Sequence, residues 1–186
     1  MVLFAGKLLP FKRPLDVIEA VAQLRRDGRK LSIIVAGSGE LDATMRQRAQ
    51  ALGVTLHMLG FQNQTQMPAC YAASDLLALP SDARETWGLV ANEALACGRG
   101  IVLSDAVGAA PDLAVFGGGV YPMGDASALA QTIARVLDHP PPAAAIAAKA
   151  AAHSPSAAAD GVLAAMQFTT AAKARRDHAA DERVRS

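Results

Sequence analysis

Short, continuously apolar runs alternate with segments of helical period along the first three quarters of the chain. Val2–Ala5 (VLFA), Leu31–Ala36 (LSIIVA), Val54–Met58 (VTLHM), Asp75–Leu79 (DLLAL) and Ile101–Ser104 (IVLS) read as strands. Most are apolar at successive positions, the pattern of strands covered on both faces in a parallel sheet. Between them, Val17, Ile18, Val21 and Leu24 fall on one face of a helix that Pro14 opens and Gly28 closes. Leu41, Met45, Ala49 and Leu52 recur at three or four residues and stop at Gly53. QMPACYAASD predicts a shorter helix and LVANEALACG another. DASALAQTIARVLDHP predicts a longer one, capped by Asp125 and stopped before Pro140. Strand and helix alternate five or six times, which predicts an α/β fold with a doubly wound parallel sheet.

The pattern changes after Pro140. Residues 141–186 are rich in alanine and nearly free of branched aliphatics, so they favour helix but offer little area to bury. This divides the chain into a sheet domain over residues 1–140 and a helical tail over 141–186, frayed after about Thr170. The alternating charges from Lys173 to Arg185 read as a solvated face.

Composition narrows the function. With 18 basic and 17 acidic residues, the net charge of +1 makes no electrostatic case for nucleic acid or an anionic membrane. Cys70 and Cys97 lack metal-like spacing and fit reduced thiols packed as small hydrophobes. No apolar run reaches the roughly 18 residues that span a bilayer, and the start lacks the charge-then-apolar order of a signal peptide. A cytoplasmic location is the expectation.

Ligands of an open α/β sheet bind beyond the carboxyl ends of the strands, so the loops into helices carry the candidate chemistry. After the first strand, Gly6 allows a sharp exit, and Lys7 and Lys12 precede a helix N-terminus, an arrangement that suits an anion. After the second, Gly37 and Gly39 permit close backbone approach. Asp42 stands where a dinucleotide fingerprint needs its third glycine, and no acidic residue ends that strand, which argues against a dehydrogenase-type domain. After the third, Gly60 and Phe61 can present backbone groups to a base. After the fourth, PSDARETWG leads into LVANEALACG. Glu85 precedes the helix and Glu93 lies within it, and eight residues of ideal helix span about 12 Å. Both carboxylates therefore reach one ligand only if it is elongated. Glu93 sits in a run with little other charge, which predicts a mostly buried polar site where a carboxylate is paired or functional. After the fifth, SDAVGAAPDLAVFGGG is a small-residue loop whose N–H groups suit a phosphate or sugar. The sequence has no Asp-x-Asp, His-x-x-x-His or Cys-x-x-Cys, and its four histidines are scattered. No metal or cofactor is expected, and lysines and helix dipoles are left to neutralise a phosphate.

In order and spacing, GKLLPFKRP, VAGSGE, LGFQNQTQMPACYAASDLLALPS, RETWGLVANEALACG and SDAVGAAPDL resemble glycosyltransferase family 4, retaining enzymes of the GT-B fold that use nucleotide-sugars. The resemblance runs from Leu3 to about Leu137 and is to the C-terminal half alone, a Rossmann-like domain that holds the donor. Its most specific piece is Glu85 to Glu93, which matches the family's E-x7-E motif with an aromatic-Gly pair inside. The resemblance implies that Lys12 holds the donor diphosphate, with Lys7 where the family usually has arginine, losing bidentate phosphate geometry. It implies that the segment Gly37–Glu40, with Gly39 inside it, flanks the base; Gly6, at the sharp exit from the first strand, is a donor-binding candidate beside it. The backbone at Phe61 and Gln62 flanks the base. Glu85 bonds hydroxyls of the transferred sugar, amides of Trp87, Gly88 and Leu89 face the sugar and phosphate, and Glu93 bonds the ribose. Lys12 and Glu85 are the catalytic candidates. The implied activity is transfer of a hexosyl unit from a UDP- or GDP-sugar to a hydroxyl. The acceptor-binding N-terminal domain has no counterpart here, so weak activity, self-association and membrane contact only through that absent half are expected. The competing reading is a non-catalytic sugar-nucleotide-binding or assembly domain.

Overall fold

A computed structural model describes residues 1–114 and 118–185, with side chains described up to residue 170. Six strands form one all-parallel sheet: β1 (Val2–Ala5), β2 (Ser32–Ala36), β3 (Thr55–Gly60), β4 (Leu76–Leu79), β5 (Gly100–Ser104) and β6 (Gly118–Tyr121). Their spatial order is β3-β2-β1-β4-β5-β6. The order reverses between β1 and β4, which pair in parallel through Val2 with Leu76 and Leu3 with Leu77. The helices are α1 (Pro14–Arg26), α2 (Asp42–Ala51), α3 (Met67–Ala72), α4 (Leu89–Ala96), α5 (Ala126–Asp138), α6 (Ala143–Ala152) and α7 (Pro155–Arg185). This is the doubly wound, Rossmann-like sheet that the alternation of apolar runs predicts.

The continuous apolar runs are explained by two cores, one on each face of the sheet. Val2 and Phe4 of β1, with Ile33, Val35, Leu76, Ala78 and Val102, join α1, α2 and α5 in one cluster. Leu3 and Ala5, with Ile34, Leu77, Leu79, Ile101 and Leu103, pack on α3, α4 and Ile146 of α6 in the other. Successive strand side chains point to opposite faces, so a strand buried on both must be apolar throughout. The exceptions are the edge strands: β3, whose residues alternate between exposed and half-buried, and β6, where Val120 is exposed.

The local signals act as expected in several places. Val17, Ile18, Val21 and Leu24 are all buried on α1. Asp125 caps α5 by accepting from the Ala128 N–H at 2.9 Å. Three elements were not anticipated. β6 opens on two glycines, residues with little strand signal; a Cβ at Gly118 would lie 1.6 Å from the Ile101 carbonyl oxygen, so glycine is what lets β6 approach β5. A π-helical turn occupies Ala110–Ala114. A 3-10 turn, Pro10–Lys12, ends on Arg13 in the left-handed region (φ 51°).

The chain forms two compact units, Met1–Ala150 and Ala151–Ser186. α7 extends through Arg185. The expected fraying after Thr170 and solvated charged face from Lys173 concern side chains outside the described residues, and Val115–Gly117 of the small-residue loop lie outside them too. Among the described residues, no helix is long and apolar enough to cross a membrane.

Candidate functional site

Two cavities open at the carboxyl ends of the strands, where the sheet order reverses. The larger, about 710 Å³, is bounded by the ends of β1 and β2, the loop after β3 and the second turn of α4. The smaller, about 450 Å³, lies between Lys12 and the Glu85–Leu89 segment. They share Ala5, Gly6 and Val90, so they adjoin at the end of β1.

Glu85 lines the smaller cavity. Its carboxylate pairs with the Lys12 ammonium, and both side chains are mostly buried, at 13% and 18% exposure. Ser81, fully buried at the end of β4, donates to Glu85 Oε2 at 3.2 Å. Ser104, at the end of β5, donates to the Ser81 carbonyl at 2.5 Å. The two strands thus fix the loop that carries Glu85. Lys12 is aimed by its own loop. The Asp82 N–H donates to the Phe11 carbonyl at 2.8 Å, and the Phe11 ring carries Lys12 Nζ at 5.3 Å and Arg84 Cζ at 4.8 Å from its centroid. Arg84 in turn hydrogen-bonds Asp82 and holds its carboxyl below the usual carboxylate range.

Trp87, Gly88 and Leu89 line the same cavity. Gly88 is the N-cap of α4 at φ 92° and supplies no side-chain acceptor, so the first-turn N–H groups of α4 have no side-chain cap. The Trp87 indole is pinned by Asn92 Oδ1 at 2.7 Å. The segment is braced from behind. Gly108 N–H donates to the Glu85 carbonyl at 3.1 Å and Ala109 N–H to the Trp87 carbonyl at 3.2 Å. These amides of the small-residue loop, read from sequence as phosphate or sugar contacts, are spent on holding the Glu85–Trp87 segment.

The larger cavity receives Gly6, Lys7, Gly37, Phe61, Gln62 and Glu93. Gly37 has no alternative, because a Cβ there would sit 1.8 Å from the Gly6 carbonyl oxygen. Gly39 lies outside both linings and packs against the Leu8 backbone. The Phe61 ring is 76% exposed. The Gln62 amide donates to the carbonyls of Leu59 at 2.9 Å and Phe61 at 3.1 Å, which fixes the chain after β3.

Glu93 differs from its expected environment. It is exposed, because α4 turns Ala91, Ala94 and Leu95 to the core and leaves position 93 outward. Its partner is Tyr71 of α3, whose hydroxyl donates to Glu93 Oε2 at 2.7 Å. Burial, and then the bond to Glu93, push the Tyr71 phenol far above its ordinary range and keep it a donor. Tyr71 and Ser81 were not among the residues singled out from sequence. For Tyr71 the available signal was a hydroxyl-bearing residue inside an otherwise apolar run; Ser81 opens the polar loop after β4. Among the described residues, no group of three or more His, Cys, Asp or Glu side chains is placed to hold a metal ion.

Residues 1–153 match the family model for glycosyl transferases group 1. The chain belongs to this family. Among its relatives, the D-inositol 3-phosphate glycosyltransferase of Salinispora arenicola is 40% identical over 113 residues, 55% of this chain and 25% of that protein. The enzyme of the same name from Mycolicibacterium smegmatis is 36% identical over 150 residues, 77% of this chain and 34% of its own length. This group 1 domain therefore spans about a quarter to a third of the relatives it matches. Anabaena HepE, solved in complex with UDP-glucose, is 28% identical with a TM-score of 0.67, and the match covers 81% of this chain and 43% of that one. The catalytic domain of the Helicobacter pylori cholesterol-alpha-glucosyltransferase shares the fold at 20% identity and a TM-score of 0.70, covering 82% of this chain and 99% of that one.

Proposed function

We propose that this group 1 domain binds the donor of a retaining glycosyltransferase that moves a hexosyl unit from a UDP- or GDP-sugar to a hydroxyl. The observation that carries the proposal is the pair of adjoining cavities, each with one lysine and one carboxylate, which suits a ligand with two polar ends and a diphosphate between them. In this reading the larger cavity takes the nucleoside, with Glu93 on the ribose and the Phe61–Gln62 segment beside the base. The smaller takes the sugar, with Glu85 on its hydroxyls. Lys7, Lys12 and the first-turn amides of α4 offset the diphosphate charge. Lys12 exchanges the Glu85 carboxylate for phosphate when the donor enters. The bond from the sugar C1 to the phosphate oxygen breaks and the acceptor oxygen bonds C1 on the same face. The acceptor proton passes to the leaving phosphate, so this domain needs no base of its own. HepE, solved with UDP-glucose, supports a uridine nucleotide among the candidates. The chain spans 25% and 34% of two glycosyltransferases that it matches, which supports looking for an acceptor-binding domain in the rest of such a protein.

Because lysines and amides carry the phosphate charge, binding is expected without a divalent ion. Isothermal titration of the chain with UDP, GDP and ADP in EDTA checks this. The expected result is saturable heat with UDP or GDP that added magnesium or manganese leaves unchanged. Heat that appears only with the metal overturns this assignment of the phosphate site.

A further inference from the structure

Tyr71 is 1% exposed, and its ring belongs to the apolar cluster that contains Leu77, Ala94 and Leu95. A phenylalanine would fill that space without bringing a hydroxyl out of water, a cost that is offset only when the group is hydrogen-bonded. Here the hydroxyl emerges at one place, Glu93 Oε2, on a neighbouring helix and on the wall of the larger cavity. Glu93 is otherwise an exposed glutamate on a short helix. Such a side chain samples several rotamers in water and loses that freedom when a ligand fixes it. The Tyr71 bond removes part of that freedom before any ligand arrives, and it does so from a ring that is immobile in the core. A carboxylate offers about four acceptor positions. One hydroxyl donor leaves capacity for two more.

We propose that Tyr71 is a positioning residue for the nucleoside: its hydroxyl holds Glu93 in the rotamer that accepts the two ribose hydroxyls. The proposal rests on the reading of Glu93 as the ribose ligand. It assigns Tyr71 no contact with the donor, so its effect passes through Glu93 alone. That dependence separates positioning from packing.

The test uses the full chain and calorimetric titrations of the wild type, Tyr71→Phe, Glu93→Ala and the double variant, with UDP and with 2′,3′-dideoxyuridine diphosphate as probes. Tyr71→Phe is expected to weaken UDP about fivefold, the scale of one ordinary hydrogen bond, while the dideoxy analogue binds as it does to the wild type. In a Glu93→Ala background, Tyr71→Phe is expected to cause no further loss. Unchanged UDP affinity in Tyr71→Phe, while Glu93→Ala alone weakens it, overturns the positioning role and leaves the ribose assignment standing. Equal weakening of both probes by Tyr71→Phe also overturns it, because a disturbed cavity does not distinguish them. The two probes meet the same fold, so this comparison holds even if the variant melts earlier. If Glu93→Ala leaves UDP untouched, the ribose assignment fails and the role of Tyr71 fails with it.

Discussion

Glu85 and Glu93 carry the same charge in different surroundings, and their substitutions should separate accordingly. Glu85 is mostly buried, paired with Lys12 and bonded by Ser81. Glu93 is exposed and held by Tyr71. Glu93→Ala is expected to weaken UDP by about 1.5 kcal/mol, at the low end for a hydrogen bond to a charged group because water reaches the site. Glu85→Ala is expected to leave UDP binding intact or tighten it, since it frees the Lys12 ammonium for phosphate. It should weaken UDP-glucose by roughly 1.5–3 kcal/mol. Titration of both variants with both ligands checks the pattern, and equal losses on UDP alone contradict it. At this scale the charged candidates were legible, because a carboxylate or lysine in a strand-to-helix loop stands out in an apolar chain. Their supports were not. Tyr71 and Ser81 lie 22 and 4 residues from the carboxylates they bond, and nothing in local spacing joins Tyr71 to Glu93. The exposure of Glu93 was misread for a related reason: it sits in a run with little other charge, but the buried members of that run, Ala91, Ala94 and Leu95, face the core while position 93 does not.

Elements, more than single side chains, place the Glu85 end of the site. The Glu85–Trp87 segment is held by the loop after β5 through the Gly108 and Ala109 amides. Gly108 fits only without a side chain, as a Cβ there would lie 1.9 Å from the Thr86 carbonyl oxygen. Gly108→Ala is therefore expected to push the segment off its brace, because backbone rather than a flexible side chain is in the way. UDP-glucose binding should fall at least tenfold, about 1.4 kcal/mol, while UDP alone, held at the other cavity, changes less. Titration beside a thermal melt checks this, and a variant that binds UDP-glucose normally would show that the brace is dispensable. The strands β1, β2, β4 and β5 were legible because burial on both faces leaves an unbroken apolar run. β6 and the π-helical turn were not, since two glycines give β6 little strand signal and a five-residue turn is too short to show a hydrophobic period, and their conformation follows from what packs against them.

At the scale of the whole molecule, one sheet supplies both cavities, and they open from its carboxyl edge. In the proposed reading, a donor bound there has its reactive carbon in the smaller cavity, next to Glu85 and the start of α4. None of the candidate residues discussed is assigned to an acceptor. The chain spans 25% and 34% of two glycosyltransferases that it matches, and the remaining length of those relatives is where an acceptor surface is to be sought. Orientation of two reactants is worth on the order of 7–11 kcal/mol of barrier, so a domain that fixes only the donor should release sugar to water slowly and transfer it poorly. Phe61, 76% exposed, and Leu89, 69% exposed, stand at the two cavities. Apolar surface of this kind at an open site favours self-association. The expected outcome is slow donor hydrolysis, no efficient transfer, and a scattering mass above that of the monomer at high concentration. A transfer assay with UDP- and GDP-sugars, simple alcohols and an inositol phosphate as acceptors, run beside light scattering, checks it. Robust turnover by a strict monomer would mean that this domain carries an acceptor site of its own, and the division of labour between two domains would have to be abandoned.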